Sequence, residues 1–269
     1  MEKGKLYIVG TPIGNLKDIT LRAIETLGAV DTIACEDTRH TLGLLTHYGI
    51  KKPLVSYYKP KEREGAERIL SALSQGKDVA LVTDAGMPCI SDPGSLLVRE
   101  ARERGFEVVS VPGPTAATTA FALSGIVKPV FVFIGFMPAK KKDKLSLLSQ
   151  YEKVDAALLF YCSPHDLGDD LKLLGEVFGA RKVSVIRELT KVYESVEEGV
   201  LGEISADEAR GEYVVIVHAP DMIAEEKPEG SLEEQVQALM AEGIEKKEAI
   251  KRVAKRNGVP KDEVYKKFV

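Results

Sequence analysis

Val79-Ala-Leu-Val-Thr-Asp84-Ala-Gly-Met-Pro-Cys-Ile-Ser-Asp92-Pro-Gly94 decides the fold class of this chain. Val79–Val82 is an apolar run of the length that makes a buried strand, and Leu96–Arg104 carries a helical pattern closed by Gly105. A long loop rich in Gly, Pro and Asp therefore sits where a parallel strand hands over to a helix, which is where open α/β sheets bind ligands. Glycine lets backbone approach a ligand closely and proline stiffens the loop. Asp84 and Asp92 suit a ligand bearing amines, hydroxyls or positive charge better than a phosphate.

The same alternation runs outward from this loop. Lys5–Val9, Asp31–Ala34 and Phe106–Val109 read as strands, and Leu21–Gly28, His40–Tyr48 and Glu62–Gln75 as helices. Within Glu62–Gln75 the residues Ala66, Ile69, Leu70 and Leu73 share one face. Strands alternating with helices predict an α/β protein whose first sheet is parallel and covered on both faces. After Gly125 the pattern changes. Val130–Gly135, Ala156–Tyr161, Val183–Arg187, Val192–Val200 and Tyr213–His218 read as strands, with helices near 142–150 and 166–177. Two strands in close succession, 183–187 and 192–200, imply an antiparallel pair and a mixed second sheet.

These patterns predict an N-terminal α/β domain over 1–114, a second over 115–222, a polar linker over 223–230 and a helical tail over 231–269. The tail shows three short helical patterns, 231–241, 246–256 and 260–268, and resembles a small helix-turn-helix with Ile244, Ile250, Val253, Val259 and Val264 as its core.

Composition narrows the function. The 269 residues are 44% hydrophobic, enough for two compact domains or one large α/β domain with an appendage, and no run approaches the length of a membrane span. The N-terminus has no signal-peptide pattern. Cys35, Cys89 and Cys162 are scattered, which predicts reduced thiols and a cytoplasmic setting. His40, His47, His165 and His218 form no ligand cluster, so no metal is expected. Net charge is -4, yet residues 241–269 hold nine Lys/Arg against five Asp/Glu while the rest holds 28 against 36. The net charge does not advertise a nucleic-acid binder, but a basic tail on an acidic body is an asymmetry that calls for an account.

Four more loops follow strands. Gly10-Thr-Pro-Ile-Gly-Asn-Leu16 has neither the G-x-G-x-x-G spacing nor a following Gly-Lys-Ser/Thr, which disfavours dinucleotide and ATP binding. Glu36-Asp-Thr-Arg-His40 offers more charge than the single oxygen a helix cap needs. Val111-Pro-Gly-Pro-Thr-Ala-Ala117 opens a helix whose first N–H groups suit a carboxylate. Arg187-Glu-Leu-Thr-Lys191 joins two strands of the second half.

Together with Leu6–Thr20, Glu36–Thr41, Asp84–Gly94, Val111–Pro114 and Gly135-Phe-Met-Pro138, these segments resemble the tetrapyrrole-methylase-like (class III) S-adenosylmethionine methyltransferases over nearly the whole chain. Within that family they resemble the members that methylate the 2′-oxygen of a cytidine ribose in the decoding region of 16S rRNA. The resemblance implies two α/β domains with S-adenosylmethionine in the cleft between them, a homodimer, and 16S rRNA or the small ribosomal subunit as partner. It assigns cofactor binding to Thr11, Pro12 and Gly14, to Asp84, Ala85, Gly86, Met87, Ile90 and Asp92, and to Pro112, Gly113, Pro114, Thr115 and Ala116. Met87 stands where relatives commonly carry Thr. Asp37, His40 or Glu188 is then a candidate base, and Arg39 and Lys191 are candidates to hold RNA phosphate or the substrate oxygen. Lys140, Lys141, Lys142 and Lys144, at a helix start where positive charge opposes the dipole, are candidate phosphate contacts, as are Lys251, Arg252, Lys255 and Arg256 of the tail. Two alternatives stay open. A porphyrin or corrin methyltransferase would not need the basic tail, and a non-catalytic RNA-binding assembly factor would not need the cofactor-type loops.

Overall fold

The computed structural model describes residues 3–204, 209–220, 230–257 and 259–267. Along the chain run β1 (Leu6–Val9), α1 (Leu21–Ala29), β2 (Thr32–Cys35), α2 (Thr38–His47), β3 (Leu54–Ser56), α3 (Glu62–Ser74), β4 (Val79–Leu81), α4 (Ser95–Glu103), β5 (Val108–Val111) and α5 (Ala116–Leu123). Then come β6 (Phe131–Phe136), α6 (Lys141–Leu148), β7 (Ala157–Cys162), α7 (Leu167–Phe178), β8 (Lys182–Arg187), β9 (Ser195–Val200) and β10 (Tyr213–Val217). The tail holds α8 (Leu232–Ala241), α9 (Lys246–Asn257) and α10 (Lys261–Lys266).

The first sheet has the order β3-β2-β4-β1-β5 and is parallel throughout. Its central strand β4 shows why the apolar run is continuous. Val79 and Leu81 face one core with Leu70 of α3 and Leu97 of α4, while Ala80 faces the other with Leu27 of α1 and Leu45 of α2. A strand covered on both faces has no place for polar residues. The second sheet has the order β6-β7-β10-β8-β9. β6 and β7 are parallel; the β7–β10, β10–β8 and β8–β9 pairs are antiparallel. Leu158 and Phe160 of β7 face α6 and α7 through Leu148 and Leu174. The alternate residues Ala157 and Leu159 face α5 and the first lobe's Ile13. That second face is where the two sheets approach each other.

Several elements depart from the sequence reading, α2 among them, which starts at Thr38 behind its Asp37 cap where His40 is expected. β3 was not expected. β5 starts two residues late, because Phe106 N–H donates to the Ala101 carbonyl at 2.9 Å and so closes α4 instead of entering the sheet. β9 starts at Ser195, because the Glu188–Glu194 segment turns on the bonds Lys191 N–H to Glu188 O (3.0 Å) and Glu194 N–H to Lys191 O (3.1 Å).

Both sheets lie in one compact unit, Met1–Ala219, and the second unit is Pro220–Val269. The expected linker lies, apart from Gly230, outside the described residues. In the second unit Ser231 and Glu234 form a reciprocal capping box at the start of α8. Val236, Leu239, Ile250, Val253 and Val264 are buried together, with Ile244 and Val259 packed against them. Among the described residues no helix is long and apolar enough to cross a membrane, and no group of His, Cys, Asp and Glu has the spacing of a metal site.

Candidate active site

The strand-end loops of the first sheet are stitched edge to edge. Thr11 N–H donates to the Gly86 carbonyl at 2.9 Å and Gly86 N–H returns a bond to Thr11 at 3.1 Å. The buried Thr11 hydroxyl donates to the Thr83 carbonyl at 3.0 Å. Gly10 and Gly113 face each other backbone to backbone; a Cβ on Gly10 would lie 2.7 Å from Gly113 Cα. Gly14 likewise meets the 187–191 loop of the second lobe, where a Cβ would lie 2.6 Å from Lys191 Cγ.

These contacts close a cavity of about 480 Å³ between the two sheets, inside the roughly 300–1,000 Å³ range of small-molecule sites. Of the residues singled out from sequence, Asp84, Ala85, Gly86, Met87, Ile90, Asp92, Thr115 and Ala116 line it. Thr11, Pro12, Gly14, Pro112, Gly113 and Pro114 do not; they form the layer of turns behind the lining. Glu36, Phe136, Tyr161 and Glu212 line it too, and the sequence reading assigned none of them. Glu36 and Phe136 lie inside segments already noted there, whereas Tyr161 and Glu212 reach the cavity only through sheet pairing.

The remaining candidates sit around the rim. Asp37 is the N-cap of α2, accepting from Arg39 N–H at 2.8 Å and pairing with the Arg39 guanidinium at 3.0 Å. Its own N–H donates to Asp84 Oδ1 at 3.3 Å. The Arg39 bond holds the Asp37 carboxyl down at about 2. Arg39 and His40 are exposed. Glu188, at φ +50°, accepts from Lys191 Nζ and from Glu212 N–H, each at 2.9 Å, and Lys191 also pairs with Glu212 at 2.9 Å. The Lys191 bond holds the Glu188 carboxyl below the usual range.

Two carboxylates in the wall, Asp92 and Glu36, behave in the opposite way. Burial, then the neighbouring Glu36 and Asp84 charges, push Asp92 up to about 6. Burial and Asp84 also raise Glu36. Among the described residues none of the three is in an ion pair within 4 Å. Three acids converging without a paired cation, at the mouths of parallel strands, make a site that favours a positively charged ligand.

The basic residues divide. Lys140, Lys141 and Lys142 are exposed at the start of α6. Lys144 corrects its expected role: it is 9% exposed, and its amine pairs with the buried Asp170 of α7 at 2.5 Å, so it is not available to a phosphate. In the tail, Lys251 and Arg252 are exposed and lie 3.9 and 3.3 Å from Glu248. The side chains of Lys255 and Arg256 lie outside the described residues.

With this geometry in hand, the comparisons with known proteins are specific. Residues 5–205 match the family model of the tetrapyrrole (corrin/porphyrin) methylases. The chain is 41% identical to the ribosomal RNA small subunit methyltransferase I of Bacillus subtilis (strain 168) over 273 residues, covering 98% of this chain and 94% of that protein. It is 44% identical to the protein of the same name from Escherichia coli O157:H7 over 271 residues, with the same coverage of 98% and 94%. Among solved structures, a diphthine synthase superposes with a TM-score of 0.64 at 18% identity, over 80% of this chain and 90% of that one. At that identity the likeness concerns the fold alone.

Proposed function

The chain belongs to the tetrapyrrole (corrin/porphyrin) methylase family and, within it, with the ribosomal RNA small subunit methyltransferases I, and on that premise we propose that it methylates the 2′-oxygen of a cytidine ribose in the decoding region of 16S rRNA, using S-adenosylmethionine. The observation that carries this reading is the cavity whose wall gathers Glu36, Asp84 and Asp92 with no ion-pair partner within 4 Å among the described residues, the exposed Lys59 acting on Glu36 and Asp92 only from farther off. S-adenosylmethionine brings an amine and a sulfonium, so its charge fits that donor set, and its electrophilic methyl group needs little activation. Ala85, Gly86 and Met87 present backbone to it, and Thr115 and Ala116, at the start of α5, suit its carboxylate. The turns at Thr11–Gly14 and Pro112–Pro114 hold these residues in place.

The work left to the protein is mainly positioning. A ribose hydroxyl is a poor nucleophile at neutral pH, and orienting it in line contributes on the order of 7–11 kcal/mol. A general base adds a smaller factor, roughly 10²–10⁴. Asp37 and Glu188, held below the usual carboxylate range by Arg39 and Lys191, are weak proton acceptors at pH 7. We assign them to fixing those two cations, which then hold RNA phosphate or the substrate oxygen, with His40 beside them. Lys140, Lys141 and Lys142 together with Lys251 and Arg252 face RNA phosphates. The reading includes a homodimer in the cytoplasm, and a monomer mass in sedimentation equilibrium removes the dimer.

Tritiated methyl groups from S-adenosylmethionine are expected on the small subunit or its 16S rRNA, at one cytidine ribose. Label on a porphyrinogen instead, or none on rRNA while S-adenosylmethionine binds, overturns the assignment. In the same assay Asp37→Asn and Glu188→Gln are expected to lose less than about 100-fold, the lower end of a base's contribution.

Cofactor affinity should also depend on pH. A cation binds the ionised wall, so affinity is expected to fall as pH drops through about 6, the value for Asp92, and to level off above about pH 7. The unliganded fold shows the opposite sign. Between the ordinary 3.8 and about 6 the folded protein keeps a proton that the unfolded chain releases, so stability declines over that window. Isothermal titration from about pH 5.5 to 8 reads the first effect, and Asp92→Asn should flatten it. A flat profile in the unsubstituted protein sinks the argument.

A further inference from the structure

Single apolar side chains on a protein surface need no account, but Phe136 is 61% exposed at the wall of the cavity and reaches it through a break in its strand. β6 pairs Phe133 with Leu159, then Gly135 with Phe160 and Phe136 with Tyr161, which leaves Ile134 as the extra residue of a bulge. Side chains alternate along a strand, so residues three apart point to opposite faces. The bulge cancels that: Leu159 and Tyr161, two apart, share a face, and so do their partners Phe133 and Phe136. Both rings meet Tyr161 edge-on, with centroids 4.8 and 5.4 Å away and interplanar angles of 64°. Gly135 makes the turn possible at φ +78°, and it leaves room for the Asp84–Gly94 loop, since a Cβ there would lie 2.8 Å from Ser91 Oγ. Bulges beside a site re-aim side chains, and here one turns an aromatic ring out of the fold and toward the cavity.

We propose that Phe136 is the platform on which the base of the target nucleotide stacks after it leaves the RNA strand. The inference rests on the rRNA reading above and deepens it. The reacting 2′-oxygen shares a ribose with that base, so bringing the oxygen to the cavity draws the base out of its neighbours, and a splayed base needs a new stacking partner. Phe136 supplies a π-face without hydrogen-bonding groups, braced at its edge by Tyr161. Lys140, Lys141 and Lys142 follow within a few residues and are exposed, Lys141 at 3.3 Å from Glu176, so positive charge for flanking phosphates comes soon after the strand end. A ring of this kind contributes affinity without reading base identity.

The chain has nine tyrosines and no tryptophan, so Phe136→Trp installs a single tryptophan at this position that can be excited apart from the tyrosines. Its emission is expected to be quenched by a 16S rRNA fragment more strongly than by S-adenosylmethionine alone. Phe136→Ala and Phe136→Leu are expected to raise KM for small-subunit RNA on the order of 5- to 100-fold, the worth of one base–aromatic stack. Both should lose more affinity for small-subunit RNA than for S-adenosylmethionine, and Phe136→Trp should restore KM. Loss of S-adenosylmethionine affinity with RNA KM unchanged, quenching by S-adenosylmethionine as strong as by RNA, or an unchanged KM in the alanine and leucine variants overturns the proposal. Quenching by RNA is read without turnover. If the unsubstituted protein fails to methylate small subunits, the activity reading fails and the fluorescence still decides the platform.

Discussion

Gly10→Ala is expected to weaken S-adenosylmethionine binding by at least about tenfold and to cut methyl transfer by about 100-fold, the cost of a misplacement near 1 Å. The added Cβ would lie 2.7 Å from both Gly113 Cα and Gly113 N, and 2.7 Å from Met87 Sδ. The methionine can swing away, but the glycine backbone cannot. The β1 and β5 loops must separate, and with them move the Asp84–Gly94 loop, bonded to Thr11, and the start of α5. Stability should fall by only about 1–3 kcal/mol, as for other overpacked sites, so binding and folding losses are separable. Gly28→Ala is the control, because Gly28 lies inside α1 with nothing within 4 Å of a Cβ; it should be neutral or stabilising by up to about 1 kcal/mol. Titration calorimetry and single-turnover transfer measure the effect. Unchanged affinity in Gly10→Ala would show that loop spacing does not set the site.

How far the site was legible follows from the range of the forces that build it. Val79–Leu81 announced a strand covered on both faces, because each residue needed an apolar partner and the run had none to spare for water. The strand-end loops were visible because glycine and proline mark backbone conformation locally, and Gly86 at φ +82° bears that out. β3 escaped because Leu54–Ser56 is three residues long, too short for any period to show. Phe136 escaped for another reason. Its motif was noted, but alternation from Phe133 places it on the wrong face, and only the pairing with β7 reveals the extra residue at Ile134. Glu212 and Tyr161 carry no local mark at all. Charged residues were the hardest to place, since a lysine at a helix start reads the same whether it faces solvent or a carboxylate in a distant helix.

Lys144 shows the consequence, and Asp170→Ala is the test with the largest expected loss of stability. Asp170 is 3% exposed and Lys144 9%, and the Asp170 carboxylate also accepts from Cys162 Sγ at 3.3 Å. Burial and that carboxylate together push the Cys162 thiol well above its ordinary value, so the thiol stays protonated and serves as a donor. Removing the carboxylate leaves a buried ammonium without its ion-pair partner, with only the more distant Asp166 charge of those that hold it still acting, and unpaired buried charges of this kind cost about 3–5 kcal/mol. Replacing both partners, Lys144→Met with Asp170→Leu, should recover most of the loss, since an apolar pair of similar volume avoids desolvating two charges. Urea unfolding measures both variants, and a loss under about 1 kcal/mol for Asp170→Ala would mean that water reaches the pair. The double variant also separates structure from recognition. It should bind 16S rRNA as the unsubstituted protein does, whereas Lys140→Ala with Lys142→Ala should weaken binding and flatten its salt dependence, because two phosphate-facing amines are then lost. Weakened rRNA binding in a stable double variant would return Lys144 to the RNA surface.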